Sequence, residues 1–194
     1  MLFFTSDVHF NDQSTIDSDL RPFKSTKQFD KFIIKTWNKQ TTKNDTIYCI
    51  GDFVDCDNAQ SDGWKIAIKY VKKLKAKVVL ILGNNEERII KYFFNNNFDE
   101  FKEYCLKLGF KDVEKNMIVK IRDKEFYCVH KPYDYNKAYL NLFGHVHASG
   151  GIYKPFGLNV GCDLYHFKLL SEDDIFHLLK KKEIYWDNCK HLNM

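Results

Sequence analysis

Five short apolar runs mark the chain, and each stops at a polar side chain able to bind a ligand. Leu2-Phe3-Phe4-Thr5 leads to Asp7-Val8-His9. Residues 46–50 end at Gly51-Asp52, and residues 78–82 end at Gly83-Asn84-Asn85. Residues 125–129 run into His130, and residues 139–143 end at Gly144-His145-Val146-His147. Short apolar runs bounded by glycine and polar turn formers predict buried strands. Between the first three runs, apolar residues fall at helical spacing. Phe29, Phe32, Ile33 and Trp37 form one set, capped by Ser25 or Thr26, and Ile66, Ile68 and Val71 lie in a second over residues 64–74. The first half therefore reads β-α-β-α-β, with a long polar loop from Asp7 through Phe23.

A helical stretch over residues 86–108 follows, and then the pattern turns mostly to strands. Residues 117–121 and 125–129 flank Asp123-Lys124 as a hairpin, and residues 156–160 and 167–170 are closing strands. Ser171-Glu172-Asp173-Asp174 opens a last helix that Lys180 to Lys182 end, where cations suit the helix dipole. No repeat or linker divides the pattern, so a single domain over residues 1–194 is expected.

Composition narrows the class. With 44% hydrophobic and 29% charged residues, nine glycines and three prolines, the chain is globular in character. A formal charge of +4 permits an anionic substrate and allows nucleic acid without indicating it. MLFFTSD reaches a charge too early for a signal peptide, and no run is long enough to span a membrane, so a cytoplasmic location is expected. The six cysteines, Cys49, Cys56, Cys105, Cys128, Cys162 and Cys189, form no C-x-x-C pair and read as buried thiols.

The strand ends carry the chemistry. In an open α/β sheet the carboxyl ends of parallel strands converge on one crevice. Asp7, His9, Asp52, Asn84, His130, His145 and His147 are then placed to meet. Oxygen and imidazole donors without thiolate suit divalent ions such as Mn²⁺, Fe²⁺ or Zn²⁺. Seven are more than one ion needs, whereas two ions about 3.5–4 Å apart use them all and form a phosphoryl-transfer clamp. Singly, Asp7 is an ordinary turn former and His130 an ordinary core histidine; a bland fold has no reason to end five strands this way.

The ordered series DVH, GD, GNN, VH and GHVH resembles the calcineurin-like metallophosphoesterases, whose pattern is D-x-H, G-D, G-N-H-[DE], H and G-H-x-H. SDVHF, RPF, IGDF and LNVGCD are similar to the small bacterial and phage members without an accessory domain. The resemblance implies a four-layer αββα sandwich of α/β class and a binuclear site. In it Asp7, His9 and His147 hold one ion, Asn84, His130 and His145 the other, and Asp52 bridges them. Manganese is the first expectation, with iron, zinc, nickel or magnesium as alternatives. The reaction implied is in-line attack of a metal-bridging hydroxide on a phosphate ester, with diesters favoured. Phosphomonoester hydrolysis on a nucleotide or phosphoprotein, and a metal-binding interaction scaffold, are the alternatives. The resemblance implies a monomer or a homodimer, since small members of the family often pair.

One position departs from the pattern. Asn85 stands where the family has a histidine that protonates the leaving group, and a carboxamide has no such proton to give. Asn85 remains a candidate to bind a phosphoryl oxygen, and Arg21 is a candidate phosphate clamp and catalytic group. Phe10, Phe53 and Tyr133 follow the motifs closely and are candidate walls for a substrate ring. His166 is expected on the surface, Asp55 and Asp57 as solvated loop acids, and Gly83 as the residue that lets the chain turn at Asn84.

Overall fold

The computed structural model describes residues 1–57 and 62–189, with residues 183–189 described by backbone alone. Two five-stranded mixed sheets face each other, with order β10-β1-β2-β3-β4 in the first and β5-β6-β7-β9-β8 in the second. In the first, β1 (Leu2–Thr5), β2 (Thr46–Ile50), β3 (Lys77–Ile81) and β4 (Asp112–Glu114) are parallel, and β10 (Leu170–Ser171) runs against β1. In the second, β6 (Lys124–Cys128), β7 (Leu140–Phe143) and β9 (Gly157–Asn159) are parallel, flanked by antiparallel β5 (Met117–Ile121) and β8 (Tyr153–Lys154). This is the sandwich of sheets and helices expected for the α/β class.

Apolar residues pack on both faces of the first sheet. One cluster joins Ile47, Val78 and Leu80 to Phe29, Ile33 and Trp37 of α2 (Thr26–Gln40), Ile89 of α4 (Asn84–Phe93) and Phe101 of α5 (Phe98–Leu108). The other lies between the sheets, joining Phe4, Ile50 and Ile81 to Phe126, Leu142 and Leu158. A strand buried on both faces must be apolar throughout, which is why β2 and β3 read as unbroken runs.

Several boundaries differ from the sequence pattern for local reasons. The loop after Asp7 contains a short helix, α1 (Gln13–Ser18), whose N-cap Asp12 accepts from Thr15 N. The stretch over 86–108 is two helices, broken where Asn95 and Asn96 turn left-handed (φ 48° and 62°) and Asn97 caps α5. Asparagine tolerates that conformation better than other non-glycine residues. The second helix of the first half is α3 (Gly63–Ala67) continued as a 3₁₀ segment, Ile68–Lys73. The hairpin turns at Arg122-Asp123 with Arg122 at φ 58°, and Phe167 lies in a loop rather than a strand. The last helix, α6 (Glu172–Cys189), does not stop at Lys180 to Lys182; Lys182 is buried and its Nζ donates to Pro155 O (3.0 Å). Cys49, Cys56, Cys105, Cys128 and Cys162 are buried free thiols, and the Cys189 side chain lies outside the described residues. No helix among the described residues is long and apolar enough to cross a membrane.

Candidate metal centre

The carboxyl ends of β1, β2, β3, β6 and β7 deliver the seven candidate ligands to one crevice, and a bridge between Ser6 and Gly161 draws the two sheets together there. Five of the seven have left-handed backbone: φ is 57° at Asp7, 53° at His9, 50° at Asp52, 72° at His145 and 44° at His147. Each such non-glycine residue costs about 1–3 kcal/mol and persists only where its surroundings hold it. Backbone hydrogen bonds do so here, from Asp7 N to Gly51 O (3.1 Å) and from His9 N to Asp52 O (3.0 Å). From the second sheet, His145 N donates to both carboxylate oxygens of Asp7 (2.9 and 3.0 Å).

The side chains form overlapping groups. Donor atoms of Asp7, His9 and His147 lie within 4.8 Å of one another, as do those of Asp7, Asp52 and His130. Asp52 Oδ2 stands between His9 Nε2 (3.6 Å) and His130 Nε2 (3.4 Å). Asn84 Oδ1 lies 3.1 Å from His130 Nε2 and 2.9 Å from His145 Nδ1. His130 Nδ1 donates to Ile50 O (2.8 Å), and His9 Nδ1 faces Asp12 Oδ2 (3.1 Å), so each ring turns its Nε2 inward. His147 Nδ1 is held by Asp19.

Electrostatics follow from this crowding. Burial disfavours charge on Asp52, yet the hydrogen bond and charge of His130 prevail and hold its pKa well below the usual carboxylate range. Burial also opposes charge on His130, but the same contact with Asp52 lifts its pKa to about 9. His145 shifts down, through burial and then the charge of His130.

A family model for the calcineurin-like phosphoesterases matches residues 2–186. The chain belongs to this family. A crystal structure of a protein of unknown function from Aquifex aeolicus shares the fold, with a TM-score of 0.62 at 22% identity over 92% of this chain and 98% of that one. Nuclease MPE of Pseudomonas putida (TM-score 0.47, 15% identity, 75% and 61% of the two chains) is more distant. An archaeal phosphodiesterase is similarly distant (TM-score 0.47, 17% identity, 84% and 86%). No curated protein matches the sequence.

The family is metal-dependent, and the donor set of this phosphoesterase fits a metal on its own evidence. Among the described residues, His9 Nε2 is buried without a hydrogen-bond partner, an arrangement that costs free energy unless something accepts its lone pair or proton. It points toward Asp52, among oxygen and imidazole donors that suit a divalent cation.

Other expected site residues fall elsewhere. Arg21 is 5% exposed, and its guanidinium uses four of its five N–H groups within the protein. Nε and Nη2 form a bidentate pair with Asp163 (2.8 and 2.9 Å), and Nη1 and Nη2 donate to Val8 O (2.9 Å) and Asp7 O (2.8 Å). It therefore positions the Asp7-Val8 backbone, and, buried with four of its five N–H groups engaged, it is not placed to clamp a phosphate bidentately. Phe10 and Phe53 are fully buried and meet edge to face at 5.0 Å, inside the core rather than on the crevice wall. Tyr133 is exposed, its ring edge-on to His145 with centroids 6.0 Å apart. His166 is an exposed residue in a turn. Asp55 and Asp57 line the crevice, and burial with the charges of Asp12 and Asp57 pushes Asp55 up to about 7.

Asn85 is 2% exposed and is used at both ends. Its Oδ1 accepts from Arg88 Nη1 (3.1 Å), its Nδ2 lies 3.4 Å from His9 Nδ1, and its backbone N donates to Asp52 Oδ1 (2.9 Å). Gly83 is needed for close approach rather than for a turn, since its φ is −99° and a Cβ there would fall 2.2 Å from Asp52 Oδ1.

Sequence reasoning missed the supports. Glu86 is fully buried, accepting from Gly83 N (2.8 Å), Asp52 N (2.9 Å) and Phe53 N (2.9 Å), and so ties β2's end to the start of α4. Asn159 Nδ2 holds His147 O (2.8 Å). The RPF and LNVGCD segments were the available signal, and their meeting through Arg21 and Asp163 explains why both occur.

Proposed function

We propose that the chain is a binuclear metal-dependent phosphodiesterase. The observation that carries this reading is the convergence of two donor groups sharing Asp7, with the unpartnered Nε2 of His9 beside Asp52. Asp7, His9 and His147 would hold one divalent ion, and Asn84, His130 and His145 the other, with Asp52 between them. Bound there, such ions supply an activated water and neutralise charge on the phosphoryl oxygens.

The chain's own residues supply orientation. Asp12 fixes the His9 ring and Ile50 O the His130 ring, as the outer partners of metal-binding histidines do. Arg88 lines the crevice of about 230 Å³, is held only by Asn85 Oδ1, and forms no ion pair among the described residues. Its remaining donors suit a non-bridging phosphoryl oxygen, with Asn85 as the positioning residue. The carboxylates of Asp12, Asp55 and Asp57 also border the crevice. They repel a doubly charged monoester more than a singly charged diester, which supports the diester preference.

The test is hydrolysis of bis-p-nitrophenyl phosphate beside p-nitrophenyl phosphate by protein supplied with Mn²⁺, with Asp52→Asn as control. Metal-dependent diester cleavage absent from the variant is expected. Faster monoester cleavage would replace the diesterase with a monoesterase, and two ions bound without turnover of either ester would leave a scaffold.

A further inference from the structure

The metal crevice is not the largest cavity. A second one, of about 570 Å³, lies between α2 and the 3₁₀ segment Ile68–Lys73, with Asn11 also lining it. That volume is within the range of about 300–1,000 Å³ that small organic ligands occupy.

Its lining divides into two chemistries. Lys27, Lys31 and Lys35 recur every four residues along α2, all exposed, and Lys73 stands opposite with its Nζ 3.9 Å above the Tyr70 ring. None of these four forms an ion pair among the described residues. Like charges at this spacing repel and weaken a helix, so the row is not there for the stability of α2. Beside it, one position round the helix, Asp30 is buried at 4% exposure on the face that carries Phe29 and Ile33.

Asp30 is an unusual core residue. Its carboxylate accepts from Asn11 N (3.2 Å) and from the Tyr70 hydroxyl, and the charge of Lys73 acts on it from a distance, yet none of the four lysines around the cavity forms an ion pair with it among the described residues. Burial pushes its pKa up to about 6. A carboxylate offers about four acceptor sites, so two remain for a donor entering the cavity. Ile34 and the Tyr70 ring supply apolar wall between this acceptor and the lysines.

The complement of such a cavity is a molecule with N–H donors at one end, a flat apolar body and an anionic group at the other. We infer that this cavity is a second ligand site, separate from the metal crevice, for a nucleoside monophosphate with an amino-bearing base. The base donates to Asp30 and packs against Ile34 and Tyr70, and the phosphate lies among the lysines. Asp30 also holds the backbone of Asn11, which sits at φ 64° between His9 and Asp12. A ligand on Asp30 therefore bears on the loop that orients His9.

The test is calorimetric titration of the full chain carrying Asp52→Asn, which silences the metal crevice and so keeps the result independent of the phosphodiesterase reading. GMP, AMP, CMP and ribose 5-phosphate are the probes. At least one nucleotide is expected to bind at a single site about tenfold or more tightly than ribose 5-phosphate. Adding Asp30→Asn is expected to remove that preference and leave ribose 5-phosphate unchanged. Adding Lys31→Glu with Lys35→Glu, both at exposed positions, is expected to weaken every probe about tenfold or more. Absence of saturable binding by all three nucleotides would overturn the inference. So would equal affinity for ribose 5-phosphate, or binding indifferent to the lysine pair. Should Asp30→Asn lower the melting temperature, the comparison of nucleotide with ribose 5-phosphate and the lysine variant still decide.

Discussion

Arg88 enters the metal crevice because Asn85, itself buried, holds one of its nitrogens. A carboxamide cannot supply the proton of the family's usual histidine, but it can aim a guanidinium whose planar fork suits phosphate oxygens. Arg88→Gln should lower kcat/KM for bis-p-nitrophenyl phosphate by about 10–1,000-fold while Mn²⁺ affinity by calorimetry stays within a factor of about two. Arg88→Lys should recover part of the loss; unchanged kinetics in Arg88→Gln would remove Arg88 from the mechanism. At this scale the donor residues were legible because strand ends announce themselves. The fate of Arg21, Phe10 and Phe53 was not. Nearness to a motif in sequence does not say which side of the backbone a side chain takes, and here left-handed Asp7, His9 and Asp52 alternate with residues turned into the core.

Among the elements, α4 shows how a helix start serves the site. Glu86 at its third position accepts from the N-cap Gly83, as in a capping box, and reaches across to the backbone of Asp52 and Phe53. Replacing it by glutamine turns an amide donor toward backbone donors in a buried place. Glu86→Gln should therefore destabilise the protein by about 2–4 kcal/mol in denaturant unfolding. A change below about 0.5 kcal/mol would show that the clamp contributes little. The strands β1, β2 and β3 were readable to within a residue, because doubly buried strands need continuous apolar runs. Helix α1, strand β4 and the break at Asn95-Asn96 were not, since short polar elements depend on caps and partners that periodicity does not report.

For the whole molecule, the candidate ligands come from both sheets, so cations binding there tie the two halves of the sandwich together. Anything that binds the folded state alone stabilises it by mass action, about 2.7 kcal/mol per site at a hundredfold excess over Kd. Mn²⁺ should raise the melting temperature of EDTA-treated protein by several degrees, and Asp52→Asn should abolish most of that rise. A rise of equal size in the variant would place the bound ions elsewhere.

The sequence by itself determined the three strands β1, β2 and β3 of the first sheet, the family resemblance and the set of oxygen and imidazole donors at the strand ends. Each of these rests on local pattern: apolar runs, the residues that stop them, and short spacings of one or two residues. Only the tertiary structure decided that Arg21 braces Asp7 and Val8, that Asn85 is buried beneath Arg88, and that Glu86 fastens β2 to α4. The cavity built on Asp30 was also invisible in the chain, because Asp30 and Tyr70 lie far apart in sequence and only the packing of α2 against the 3₁₀ segment brings them together. Contacts between distant segments depend on how the sheets and helices pack, and no local period encodes that.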